Sequence, residues 1–174
     1  GKAGQNLSKQ VGQLYMMGRG TQRNMEALND IYNKHVPDSM KRTWEQQEPD
    51  VILDTLRKVS EGIEEGPAKE QFIEMTRELE SQLAEWKQIG RISIGALVFG
   101  ALTQYANAKK FTNNVTSSFL RAVLQIITGN VSNREAMFYL NKVIEGESSP
   151  IGGGPQAGAG TNQNGSGNGL GLPT

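Results

Sequence analysis

His35 is the one histidine of the chain, and cysteine is absent. Disulfides, thiolate chemistry and a metal site built on paired histidines within one chain are therefore excluded. His35 comes just before Pro37, at the expected end of a helix, so we interpret it as a partner of the helix dipole and not as a catalytic base. Glu74 and Glu78 share one helical face, but two acids on an acidic helix are typical of a solvated surface. These residue types predict a protein that is not an enzyme and that holds no cofactor or metal.

Charge offers a second kind of chemistry, because it is distributed unevenly along a chain whose eighteen basic and eighteen acidic residues balance. Residues 48–85 hold eleven acidic side chains and four basic ones. Residues 1–25 and 86–134 hold no acidic side chain. Lys and Arg in such acid-free segments bind phosphate without neighbouring carboxylates that would repel a nucleic-acid backbone. The charge pattern therefore predicts contact with a polyanion.

The predicted nucleic-acid contacts are basic residues of these two segments. Arg19 stands between Gly18 and Gly20, which would let the backbone approach a phosphate oxygen while the guanidinium makes a bidentate contact. Two alternatives stay open: acidic and basic helices attract each other inside a neutral bundle, or the basic segments face anionic lipid. The candidate nucleic-acid-binding residues are Lys2, Lys9, Arg19, Arg23, Lys109, Lys110, Arg121 and Arg134.

The elements that must position these residues are helices, because apolar residues recur every three or four positions along most of the chain. This spacing predicts an all-α fold. In the N-terminal segment it places an apolar stripe from Leu7 to Tyr32 on one helical face, interrupted by the small residues around Gly18. Such a one-sided stripe needs a partner surface to be stable. Residues 1–36 are therefore predicted to form an extended amphipathic arm that becomes ordered in an assembly.

Residues 37–146 are predicted to form a helical bundle. Apolar side chains cover most of the circumference of segment 92–105, so we expect this helix at the centre of the bundle. Gly95 and Gly100 should let neighbouring helices approach it closely. The helix after it is expected to end at Gly129 in the left-handed conformation.

Residues 147–174 are rich in Gly, Pro and Asn and carry a single charge, Glu147. This composition cannot bury enough apolar surface to offset the entropy lost on ordering, so a flexible tail is predicted. The apolar stretches are far shorter than the roughly 20 residues of a membrane span. The sequence also lacks the pattern of a signal peptide. Neither a transmembrane segment nor a signal peptide is expected.

Size, helix order and the basic, glycine-containing N-terminal segment, over about residues 1–146, resemble the helix-bundle coat proteins of filamentous and rod-shaped archaeal viruses. In that family the N-terminal helices wrap the genome. The resemblance implies a self-assembling structural protein located in the virion: the coat (nucleocapsid) subunit of a helical particle that packages nucleic acid through backbone contacts. The net charge near zero differs from the strongly basic coats of some such viruses. Complementary charged faces between subunits of a helical lattice would account for it.

The expected partners are many copies of the chain itself and nucleic acid bound without sequence preference. A paralogous subunit and a membrane envelope stay open as further partners. The alternative function is a non-viral, cytoplasmic adaptor or scaffold module of helical structure. In that hypothesis the N-terminal arm docks onto a protein partner, and the basic segments guide the partner electrostatically.

Overall fold

A computed structural model describes residues 2–18, 21–86, 93–129 and 133–146. Within these ranges the chain is helical and contains no strand, which confirms the all-α prediction. The predicted tail of residues 147–174 lies outside the described residues. The helices are α1 (Lys2–Met17), α2 (Gln22–His35), α3 (Asp38–Glu45), α4 (Pro49–Gly62), α5 (Pro67–Trp86), α6 (Ile94–Ala108), α7 (Asn113–Thr128) and α8 (Asn133–Ile144).

Helix boundaries follow local backbone chemistry. α4 begins at Pro49, where a missing N–H costs little because first-turn donors have no partner inside the helix. α6 begins after Ser93, whose hydroxyl accepts a hydrogen bond from the backbone N–H of Ala96 at 3.0 Å. α7 ends at Gly129, which has a φ of 72°. The left-handed end predicted at this glycine is therefore confirmed.

α6 lies at the centre of the bundle, where its apolar circumference predicts it. All residues from 95 to 103 are buried. A Cβ atom on Gly100 would lie 3.0 Å from the ring of Tyr15 in α1. A Cβ on Gly95 would overlap the hydroxyl group of Tyr32 in α2. The prediction that these two glycines permit close approach is confirmed, and the helices that approach are α1 and α2.

The N-terminal helices pack on this central helix, so the extended arm predicted for residues 1–36 is not confirmed. Val11 and Tyr15 of α1 are at most 1 % exposed. The side-chain amide of Asn107 in α6 donates to the carbonyl oxygen of Ser8 at 2.8 Å. The apolar stripe of α1 finds its partner surface within the chain, because α6 presents apolar side chains in every direction.

An aromatic cluster joins α5, α6 and α7. The ring of Phe119 stacks on the ring of Tyr105, with centroids 5.3 Å apart and planes inclined by 20°. Phe72 meets the ring of Tyr105 edge-on at 5.3 Å. The Tyr105 hydroxyl donates to the carbonyl oxygen of Ala68 at 2.9 Å, so its one polar atom is satisfied. Aromatic pairs of this kind add about 0.5–1.5 kcal/mol each to the stability that burial provides.

Two buried tyrosines make the fold sensitive to alkaline pH. Burial raises the pKa of Tyr105 and of Tyr32 above the ordinary value of 10.0. The pKa of Tyr32 rises further because its hydroxyl donates to the Glu45 carboxylate at 2.9 Å. The raised pKa values favour the neutral phenols in the folded chain, so above about pH 10 the unfolded chain loses protons first. We expect the free energy of unfolding to fall there, by up to about 1.4 kcal/mol per pH unit for each tyrosine.

Urea unfolding at a series of alkaline pH values measures this decline. The control is the double variant Tyr32→Phe, Tyr105→Phe, which lacks both ionising hydroxyls. Its free energy of unfolding should fall less steeply with pH than that of the parent. An equally steep decline in the variant would show that other groups cause the alkaline destabilisation.

Candidate nucleic-acid interface

α1 and α6 run antiparallel, and this arrangement determines which basic residues meet. The carbonyl of Ser8 is bonded to Asn107, and Tyr15 lies against Gly100. Residue numbers therefore rise along α1 while they fall along α6. Lys9, which follows Ser8, lies at the same end of the helix pair as the C-terminus of α6.

Three candidate residues with described side chains share this end of the bundle. Lys9 is exposed on α1, Lys109 is partly buried at the end of α6, and Lys110 is exposed directly after it. The helix register also places the backbone of Lys2 at this end, although its side chain lies outside the described residues. One lysine from residues 1–25 and two lysines from residues 86–134 thus lie at the same end of the α1–α6 pair. The cations also complement the negative end of the α6 dipole, which stabilises a helix by about 0.3–1 kcal/mol per charge.

Lys110 has an unusual backbone conformation, with a φ of 62°. Its N–H donates to the carbonyl of Asn107 at 2.9 Å, and the N–H of Phe111 donates to the carbonyl of Ala106 at 3.0 Å. These two bonds form the Schellman motif that ends many helices, and glycine normally occupies the left-handed position. A side chain there costs roughly 1–2 kcal/mol for an L-residue. The chain therefore keeps a charged side chain where the backbone by itself favours glycine.

The other candidates lie elsewhere. Arg23 is exposed in the first turn of α2, beyond the opposite end of α1. Arg121 is partly buried in the middle of α7, and Arg134 is exposed in the first turn of α8. Arg19 lies outside the described residues. The described candidates therefore do not form a single surface, because they occur on helices that begin and end in different parts of the bundle.

The hairpin of α4 and α5 forms an acidic surface. Ten of the eleven acidic side chains in residues 48–85 are exposed, and the other, Glu78, is partly buried. Each basic side chain of this segment pairs with a carboxylate of the same segment. These ion pairs are Arg57–Glu80 at 3.0 Å, Lys58–Asp54 at 3.2 Å, Lys69–Glu65 at 2.8 Å and Arg77–Glu74 at 3.8 Å. The hairpin therefore uses its own basic groups locally and presents a surplus of negative charge to the solvent.

The end of α8 adds a carboxyl group to this acidic surface. The side chain of Asn141 donates to the carbonyl of Gly62 at 3.0 Å and accepts from the N–H of Glu64 at 3.0 Å, which fixes α8 to the end of α4. A hydrogen bond with the carboxyl group of Glu64 raises the pKa of Glu145. The packing thus brings two carboxyl groups together, and such like charges repel each other.

Exposed apolar side chains are a further surface feature of the described residues. Met16 and Met17 at the end of α1 are 54 % and 63 % exposed, and Phe138 of α8 is 66 % exposed. Val51 in the first turn of α4 is also exposed. One signal was present in the sequence: Met16 and Met17 fall outside the apolar stripe of α1, which contains Val11.

Within the described ranges, no group of three or more acidic or histidine side chains is placed to hold a metal ion. None of the helices in these ranges has both the length and the apolar character that a membrane span requires. Comparison of the chain with protein-family models, with curated proteins and with solved structures gives no match.

Proposed function

We propose that the protein is a self-assembling structural protein, the coat (nucleocapsid) subunit of a helical virus particle, which holds nucleic acid by its phosphate backbone. One observation carries this proposal: the two acid-free segments meet at one end of the α1–α6 pair, where Lys9, Lys109 and Lys110 lie. Basic side chains from segments that contain no acidic residue can bind phosphate and do not read bases. A coat subunit needs such a contact, because each copy along a genome meets a different sequence.

The acidic hairpin of α4 and α5 supports the assembly part of the proposal. Its exposed carboxylates repel phosphate, so bound nucleic acid would lie along the basic segments and away from the hairpin. The same carboxylates attract the basic segments of a neighbouring copy. In a lattice, the acidic hairpin of each copy would then face the basic segments of the next copy. A subunit whose net charge is zero is consistent with this arrangement.

The adaptor hypothesis receives less support. It requires the apolar stripe of the N-terminal segment to be free for a partner protein. Val11 of that stripe is buried, and Tyr15 of the same helix lies against Gly100 of α6, so the stripe itself could dock on a partner only if α1 left the bundle. Separation of α1 would expose the apolar surface of α6 at the same time, which is unfavourable.

Size-exclusion chromatography of unfractionated native material, with the ultraviolet absorbance ratio that reports nucleic acid, tests the proposal. A coat subunit should elute in large particles that contain nuclease-protected nucleic acid, and electron microscopy should show helical order. A small oligomer without nucleic acid would contradict the proposal.

Lys110→Gly is expected to change stability and binding in opposite directions. Glycine removes the Cβ penalty of roughly 1–2 kcal/mol but loses more conformational freedom on folding, so the free energy of unfolding should rise by about 0.5–1 kcal/mol. Loss of the ammonium group should weaken nucleic-acid binding and lower the slope of log affinity against log salt by roughly 0.7–0.9. Urea unfolding measures the first effect. Fluorescence anisotropy with a labelled oligonucleotide of random sequence, at several salt concentrations, measures the second.

Lys58→Ala is the matched control, because it also removes one positive charge but lies in the acidic hairpin. Its salt slope should equal that of the parent. If Lys110→Gly also keeps the parent's affinity and slope, Lys110 does not contact phosphate and serves only the end of α6.

A further inference from the structure

The C-terminal end of α1 carries an exposed apolar patch with a basic rim. Met16 and Met17 are its apolar centre. The side chain of Asn24 donates to the carbonyl of Met17 at 3.4 Å, which holds the first turn of α2, with exposed Arg23, beside the end of α1. We call Met16, Met17 and Arg23 the methionine patch.

A second exposed apolar patch has an acidic rim. Val51 is 48 % exposed in the first turn of α4. Glu48 and Asp50 adjoin it and are exposed, and Asp54 follows one turn later on the same face. Asp54 is the one of these acids that pairs with a base of the hairpin, Lys58, at 3.2 Å. We call Glu48, Asp50, Val51 and Asp54 the valine patch.

The two patches complement each other. Each has an apolar centre, and the rims have opposite charge, so contact would bury both centres while the rims attract. They also lie on different helices: α1 packs chiefly on α6, whereas α4 packs chiefly on α5.

We propose that the methionine patch of one copy docks onto the valine patch of the next copy. This inference rests on the self-assembly proposed above and names the surfaces that carry it. A second copy is the occupant because this chain itself supplies the complementary charge and apolar centre. The contact is heterologous: each copy offers a different surface, so a third copy can add at either end. Repetition of such a contact gives a ring or an open helical filament, depending on whether the rotation closes.

Two variants, each with one patch removed, test the docking. Met16→Ser with Met17→Ser removes the apolar centre of the methionine patch and leaves the valine patch intact. Val51→Arg places a positive charge in the valine patch and leaves the methionine patch intact. All three positions are exposed, so both variants should fold, which circular dichroism checks. Phe138→Ser is the matched control, because Phe138 is as exposed as Met17 but lies outside both patches.

Light scattering coupled to size-exclusion chromatography measures the outcome. The parent and the control should form large assemblies, and each patch variant alone should remain a single copy. An equimolar mixture of the two variants should give a complex of twice the chain mass and no larger species, because that pair retains one intact contact. Failure of the mixture to pair would overturn head-to-tail docking.

The same measurements separate this inference from the proposed function. If both patch variants assemble to the size of the parent, the docking surfaces are wrong while self-assembly stands. If the parent remains a single copy at every concentration, with and without added nucleic acid, the proposed function fails as well. The docking would also be overturned if Phe138→Ser lost assembly while both patch variants assembled normally. That result would indicate that α8 carries the contact between copies.

Discussion

The double charge reversal Arg19→Glu, Arg23→Glu is expected to give particles that lack nucleic acid, or no particles at all. The first acid-free segment then gains two carboxylates in place of two basic groups, so it should repel a nucleic-acid backbone that the proposed function requires it to attract. We expect Arg19 to account for more of the effect than Arg23, because glycine on either side of it in the sequence permits close approach of a backbone to phosphate. The absorbance ratio of purified particles, with the amount of nuclease-protected nucleic acid, measures the effect.

The matched control for this reversal is Glu74→Lys. Glu74 is exposed on the acidic hairpin and pairs only loosely with Arg77, at 3.8 Å. The Glu74→Lys substitution changes the charge at its position by as many units as each Arg→Glu substitution does. Glu74 is not part of the basic segments, so the particles should retain their nucleic acid. Should the double reversal package nucleic acid as well as the parent does, the basic segments act only between protein subunits, and the adaptor hypothesis gains support.

Phe119→Ala is expected to lower the free energy of unfolding by about 3–5 kcal/mol. Phe119 is fully buried and contacts Tyr105, Phe72 and Phe111 in the aromatic cluster. Its loss removes burial and three ring contacts, and it leaves a cavity that helices fixed by other contacts cannot fill. Urea unfolding followed by circular dichroism measures the change.

Phe138→Ala provides the comparison on the surface. Phe138 is 66 % exposed, and Lys142 lies over its ring at 5.5 Å from the centroid. This substitution loses little burial and one exposed cation–π contact, so it should cost less than about 1 kcal/mol. A similarly small cost for Phe119→Ala would show that α7 does not belong to the core.

Much of the helical framework could be predicted from sequence, because helix ends depend on neighbouring residues. Pro49 starts a helix since proline tolerates the first turn, and Gly129 ends one since glycine adopts the left-handed conformation without strain. The central position of α6 also follows from local pattern, because a helix that is apolar all round must be covered on all sides.

The candidate site could be predicted only in part. Charge segregation is a property of the sequence and names the basic residues of the two acid-free segments. Their meeting is a property of the packing. Lys9 and Lys109 come to the same end of the bundle because α1 runs antiparallel to α6, and no local pattern encodes the pairing of helices so distant in sequence. The left-handed conformation of Lys110 could not be predicted from the sequence either, because this position holds a lysine and glycine is the residue that usually indicates such a conformation.

Sequence by itself determined that α1 has one apolar face, and the tertiary structure decided what covers it. Periodicity reports that a face must be buried, but it does not distinguish a partner in the same chain from a partner in another copy. In the structure Val11 and Tyr15 are buried within the chain, and Tyr15 lies against Gly100 of α6, so the predicted arm is not confirmed. The packing also leaves Met16 and Met17 outside, since a helix that buries one face against a neighbour must present the other to its surroundings.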